Sequence, residues 1–165
     1  MDLKQFEIEV LLLKDKIARL AFYLLGNNEE AEDATQEVFL KLWHIKDELE
    51  VVDNMQAFAL RITRNLCLDK IRAQNRRLQK NEAIEESLKE RADNPHEQTE
   101  IRDLLSVIKK QIAALPETQR TVITLRDIEG LEFDEIAEIT GMNENAIKVN
   151  LSRARKKIRS LFTEK

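Results

Sequence analysis

The side chains in this sequence that could do catalytic chemistry are few and scattered. His44 and His96 are the only two histidines and Cys67 is the only cysteine. They stand far apart along the chain, so neither a metal site nor a nucleophile–base pair has enough parts. No glycine-rich run able to cradle a phosphate is present. Cys67 reads as a small core residue, and a lone cysteine suits a reducing compartment. No enzyme and no cofactor is therefore expected. What the sequence offers instead is cationic helix. In FDEIAEITGMNENAIKVNLSRARKKIR (133–159), Ile136, Ile139, Met142, Ile147 and Leu151 frame a turn at Gly141. Ala137 supplies the small residue where two helices cross closely, and Asn143 is placed to cap the second helix. This is the pattern of a helix-turn-helix.

The second of those helices continues its apolar stripe through Ala154, Ile158 and Leu161. Its other surfaces carry Lys148, Asn150, Ser152, Arg153, Arg155, Lys156, Lys157 and Arg159. An apolar back and a basic, hydrogen-bonding front fit the major groove of a duplex. The competing reading is a solvated helix with paired charges. Within the segment itself only Glu144 and Glu164 are available as partners.

The elements that must position this helix are themselves helical. A chain of 165 residues holds one domain or two small ones, and 3 Gly with 2 Pro leave too few turns for a sandwich or barrel. Phe6, Val10, Leu13, Ile17, Leu20 and Leu24 step by four and three along one face, with Gly26 as C-cap. Asn27 or Asn28 caps the next helix, where Ala31, Thr35, Val38 and Leu42 point inward. Residues 47–54 read as a loop. A third helix runs from about Met55 through Arg72 and buries Phe58, Ile62 and Leu66. From about Asn75 to Thr99 the periodicity weakens and Pro95 interrupts, which marks a flexible linker, with His96 a solvated residue in it. Ile101, Leu104, Leu105, Ile108 and Ile112 then make a helix ending before Pro116, and three more helical segments follow. The expectation is an all-α protein of two small helical domains. Nothing approaches a membrane span, and the opening MDLKQFEIEV has acids where a signal peptide needs a basic and then apolar run. A chain that is soluble and cytoplasmic is expected.

Charge falls in blocks that the net value of −4 conceals. Residues 27–60 carry two Lys/Arg against nine Asp/Glu, residues 61–80 seven against one, and residues 144–165 seven against two. An acidic chain does not coat nucleic acid indiscriminately, but two local basic faces can still follow phosphates.

Two motifs at their separation carry a family resemblance. AEDATQEVFLKLW (31–43) followed by FALRITRNLCLDKIRAQNRR (58–77) resembles the first conserved region of bacterial RNA polymerase sigma factors. LPETQRTVITLRDIEGLEFDEIAEITGMNENAIKVNLSRARKKIR (115–159) is similar to their fourth region. A chain with these two regions and a short linker resembles the extracytoplasmic-function group. The resemblance implies a region 2-like domain at 1–77, an acidic linker at 78–100 and a region 4-like domain at 101–165. It implies that Asp33, Gln36, Glu37, Leu40 and Trp43 dock on the β′ clamp of core polymerase. The spacing of Asp33, Gln36, Leu40 and Trp43 does place them along one helical face, although Trp43 also reads as an ordinary core aromatic. By the same resemblance the loop at about 47–57 pockets a flipped base of the −10 element. Arg61, Arg64, Asn65, Asp69 and Arg72 then face the opened strand. For Arg61 and Arg64 pairing with the acidic second helix remains a rival reading. The family often has Trp near Phe58–Ala59, so stacking surface is sparse here and melting power is expected to be modest. In the fourth region, Lys148, Val149, Ser152 and Arg153 align with positions that read the −35 element. Arg126, Arg155, Lys156 and Arg159 hold phosphates, and the module also meets the β flap. An anti-sigma partner and a monomeric free state are further implications. A dimeric helix-turn-helix repressor and a helical adaptor are the alternatives, but neither gives the second basic block a purpose.

Overall fold

The computed structural model describes residues 1–80 and 100–163, the side chains of 100–102 and 161–163 excepted. Most of the expected linker, with Pro95 and His96, and the side chains of Ile101 and Leu161 therefore lie outside the described residues. Eight α-helices and no strand make up the described part. Helix α1 (Leu3–Val10) starts where Asp2 accepts from the Gln5 N–H at 2.8 Å. A 3-10 turn at Leu11–Leu13 re-aims the chain into α2 (Lys14–Leu25), keeping Phe6, Val10, Ile17, Leu20 and Leu24 buried together. Gly26, at φ 73°, ends α2 with its N–H on the Phe22 carbonyl at 2.7 Å. Asn27 then caps α3 (Asn28–His44) by accepting from the Glu30 N–H at 3.1 Å, and Glu29 and Glu30 sit at the positive end of the helix dipole. Ala31, Thr35, Val38 and Leu42 are buried, as their spacing predicts.

The C-terminal half comprises α5 (Glu100–Ala113), α6 (Glu117–Ile123), α7 (Phe133–Thr140) and α8 (Glu144–Thr163). Helix α6 runs on into a π-helical turn at Thr124–Ile128, where the Glu129 N–H reaches back five residues to the Thr124 carbonyl at 3.0 Å. This extra residue turns the chain toward α7.

Helix α4 (Met55–Lys80) begins where the spacing predicts, so its first turn takes up the end of the loop that the resemblance places at about 47–57. Asn54 caps it, its side chain accepting from the Ala57 N–H at 3.0 Å. The helix runs past Arg72 and through the first residues of the expected linker. Its inner face is wider than the sequence spacing predicts. Leu60, Thr63, Leu66 and Cys67 are buried, whereas Phe58 and Ile62 are only partly so. The reason is packing on two sides: α2 and α3 lie against one flank and α7 against another. The Thr63 hydroxyl is satisfied by donating to the Ala59 carbonyl at 2.8 Å.

The two modules expected from sequence are present, but they are seated on each other. Helix α2 meets α5 and α6, α4 meets α7, and one apolar cluster runs from Phe6 through Leu60 and Leu125 to Ala154. Modules this small each close only a modest core, so shared burial adds to both. Among the described residues no helix is long and apolar enough to cross a membrane.

Two consequences are measurable. Gly141 closes α7 at φ 74°, with its N–H on the Ala137 carbonyl at 2.8 Å and nothing within 4 Å of where a Cβ would stand. The strain of a side chain there is backbone strain alone, so Gly141→Ala lowers stability by about 1 kcal/mol in urea unfolding and Gly141→Asn by less. Cys67 is a buried free thiol whose pKa burial pushes up from 9.0 to about 12. The unfolded thiol ionises first, so wild-type stability falls as pH rises between those values, by about 1.4 kcal/mol per pH unit. Cys67→Ala removes that part of the slope while wild type and variant keep every other titration in common.

Candidate functional site

The helix-turn-helix is built as its sequence requires. Ile136, Ile139, Ile147, Leu151 and Ala154 are buried, and Asn143 caps α8 by accepting from the Ala146 N–H at 2.8 Å. This leaves Lys148, Ser152, Arg153, Lys156 and Arg159 on the exposed side of α8. Val149, 39% exposed among them, offers the apolar contact that a thymine methyl takes. Lys148 lies 3.3 Å from Glu144 one turn back, an exposed pair that water and salt weaken readily.

Two of the cations expected to hold phosphates are occupied within the protein. Arg155 forks onto Asp127, Nε to Oδ2 at 2.8 Å and Nη2 to Oδ1 at 2.5 Å, and this hydrogen bonding raises its pKa. The acid comes from the π-helical turn, outside the segment in which only Glu144 and Glu164 were in view. Arg126 donates to the Leu131 carbonyl at 2.8 Å and stacks 4.4 Å from the Phe133 ring, with Glu132 at 3.7 Å. It braces the turn into α7. The Asn150 amide is likewise turned onto the Ala146 carbonyl of its own helix at 2.8 Å.

On α4, Arg61, Asn65, Asp69 and Arg72 form one exposed stripe, with Arg64 half-buried beside it. Arg64 Nη1 donates to Asn65 at 3.0 Å, but its Nε is buried without a partner. Desolvation lowers the Arg64 pKa most, and the like charges of Arg72 and Arg61 add to this while Glu117 opposes it. The rival reading, in which Arg61 and Arg64 pair with the acidic second helix, is corrected here. It is Lys70 that reaches α3, 2.8 Å from Glu37. Lys70 points across to α3, while Arg64 and Arg72 have Glu117 of α6 as their nearest acid.

On α3, Asp33, Gln36 and Leu40 are exposed, Leu40 at 62%, and Glu37 is half-buried in its pair with Lys70. Trp43 is partly buried. Its ring meets Phe6 edge-on at 5.1 Å and carries Lys46 Nζ at 3.9 Å. Both readings of Trp43 thus hold in part: one edge belongs to the core and the rest borders the exposed α3 face.

The sequence gives no sign of a third group of polar residues. Glu117, Glu129 and Glu135 meet cations and amides of the other half of the chain, Arg72, Arg19, Asn54 and Gln56 among them, at separations of 79 residues for Gln56 with Glu135 and 110 for Arg19 with Glu129. No spacing rule connects residues so far apart. Among the described residues no cluster of three His, Cys, Asp or Glu could hold a metal ion.

Comparison with known proteins agrees with this arrangement. The family described as Sigma-70 region 2 matches residues 10–77, and Sigma-70, region 4 matches residues 105–158. The ECF RNA polymerase sigma factor SigW of Bacillus subtilis is 30% identical over 156 residues, covering 90% of this chain and 83% of that protein. RNA polymerase sigma factor SigV of the same organism is 31% identical over 152 residues, covering 92% and 87%. Among solved structures, the sigma factor RpoE co-crystallised with the anti-sigma factor NepR from Bartonella quintana is similar at TM-score 0.78 and 26% identity, covering 98% of this chain and 99% of that one. With α3 and most of α4 inside the region 2 match and the helix-turn-helix inside the region 4 match, the chain belongs to the extracytoplasmic-function group of RNA polymerase sigma factors.

Proposed function

We propose a division of labour within this sigma factor, which directs promoter-specific initiation by core polymerase and catalyses no reaction itself. Residues 1–77 hold the core enzyme and the −10 element, residues 78–100 link, and residues 101–165 read the −35 element. The observation that carries this reading is that one chain exposes an acid–amide–apolar face on α3 and two basic faces on α4 and α8. Asp33, Gln36, Leu40 and the open edge of Trp43 dock on the polymerase clamp, where an acidic rim complements a basic partner. Glu37 contributes by fixing α3 against Lys70. On α4, Arg61, Arg64 and Arg72 follow the phosphates of the opened strand and Asn65 and Asp69 shape the pocket for a base. On α8, Lys148, Val149, Ser152 and Arg153 face base edges and Lys156 and Arg159 face phosphates, while Arg126 and Arg155 stiffen the module. The C-terminal module also meets the polymerase β flap. The factor works as a cytoplasmic monomer, and likeness to a relative crystallised with its anti-sigma factor supports an anti-sigma partner here as well.

The first test is sedimentation of the purified chain with bacterial core polymerase in the absence of DNA. A tight one-to-one complex is expected, and no complex from a folded sample sinks the reading. Gln36→Ala with Leu40→Ala weakens that complex at unchanged helical signal, since both side chains are exposed. Trp43→Ala is the less clean variant because it also removes the Phe6 contact. Arg153→Glu lowers −35-dependent transcription by at least about ten-fold with polymerase binding intact. Loss of both together refutes the division of labour. Lys156→Ala weakens duplex binding evenly across sequences and reduces the log–log salt slope by about one.

A further inference from the structure

One aromatic ring in the C-terminal module carries two cations. Phe133 opens α7 and is half-buried against the core. The guanidinium carbon of Arg126 stands 4.4 Å from the centre of its ring, and Lys148 of α8 places Nζ 5.5 Å from the same centre. The ring thus joins the turn that precedes α7 to the first exposed cation of the recognition helix.

The two cations differ in how they are held. Arg126 is fixed from elsewhere, by the Leu131 carbonyl at 2.8 Å and by Glu132 at 3.7 Å, so it braces the ring. Lys148 is exposed, and its ammonium has the ring on one helix and Glu144 on its own helix, 3.3 Å away. A lysine is a compact charge on a flexible four-carbon stem, and ordering it at a base costs rotamer entropy. Side chains on a helix lean back toward its N-terminus, so Glu144 alone would draw the ammonium down along α8. Phe133 attracts it across the motif instead. An exposed ion pair and a cation–π contact of this length are each weak. Together they narrow where the ammonium goes and leave its charge available.

Lys148 is also the first residue of α8 assigned to base edges, and a lysine there meets the O6 and N7 acceptors of a guanine. We infer that Phe133 is a positioning residue for promoter reading. Braced by Arg126, its ring holds the Lys148 ammonium toward one base pair of the −35 element and sharpens the preference for guanine there. Phe133 touches no base itself. This rests on the −35 reading of α8. It also gives Arg126 a part in recognition, exerted through the ring, although its guanidinium is turned inward.

The test uses holoenzyme, the full chain assembled with core polymerase, on a pool of promoter duplexes randomised over both promoter elements. Sequencing the bound fraction gives the base preference at every position. Lys148→Met keeps the stem without the charge and abolishes a guanine preference at one −35 position. Phe133→Leu weakens that same preference about three-fold and leaves the other positions unchanged. A preference is a ratio of affinities within one sample, so loss of folded protein cancels and a merely structural role does not move it. Phe133→Tyr, which keeps the ring face, keeps the preference. The Phe133→Leu, Lys148→Met double variant matches Lys148→Met alone, since the ring then has nothing to position. Full guanine preference in Phe133→Leu overturns the positioning role. So does a loss spread over all −35 positions, the mark of a loosened module. If Lys148→Met alters the preference at no position, the −35 reading fails at that residue and the positioning role falls with it. Should Phe133→Leu lose helical signal, Phe133→Met supplies similar bulk without a ring and is read in the same way.

Discussion

Helix α4 has to pack as core on one side and carry a row of cations on the other, and this demand shapes the helices around it. Leu60, Thr63 and Cys67 are buried against α2, α3 and α7, while Arg61, Arg64 and Arg72 keep their charge within a turn or two of that apolar face. A guanidinium this near a core loses water, as the lowered pKa of Arg64 records. The protein answers by separating the cations. Lys70 is tied to Glu37 on α3, so one charge is neutralised inside the N-terminal module. Arg61 stays in water, and Arg64 and Arg72 receive Glu117 from the other module. Through Glu37, the acidic block at 27–60 thus helps a helix this cationic sit against a core.

The helix-turn-helix solves the same problem with fewer neighbours. Its recognition helix has one apolar side, and the buried Ile147, Leu151 and Ala154 leave most of its circumference to solvent. Here an exposed cation such as Lys148 has only a solvated carboxylate as partner, Glu144, and those near the fold receive a firmer one. Arg155 and Arg126, closest to the π-helical turn, are taken up by Asp127 and the Leu131 carbonyl. A cation held in a fork at fixed geometry makes a stiffer scaffold than a free one, and the residues facing bases inherit that stiffness.

What could be seen in the sequence was what is decided locally. Gly26 with Asn27 and Gly141 with Asn143 mark helix boundaries because a left-handed backbone and a side-chain cap each involve only a few neighbouring residues. The apolar stripes of α2, α3 and α8 follow because each helix buries one side. The stripe of α4 was misjudged because three helices contact it, and burial on two flanks blurs a single-face period. The exposed face of α8 was legible from its shortage of nearby acids. The partners of Arg155, Arg72 and Arg19 were not, since they are supplied by tertiary packing rather than by spacing.

The same distinction explains how an acidic chain reads DNA. A uniformly basic surface would bind any duplex through counterion release. Here the cations are gathered on two helices, and carboxylates elsewhere set the net charge to −4. One of those carboxylates, Glu117, lies opposite Arg72 across the seam between the two modules, so an internal counterion is already present there. An anion that comes to Arg72 then gains only the difference between its own contact and that of Glu117.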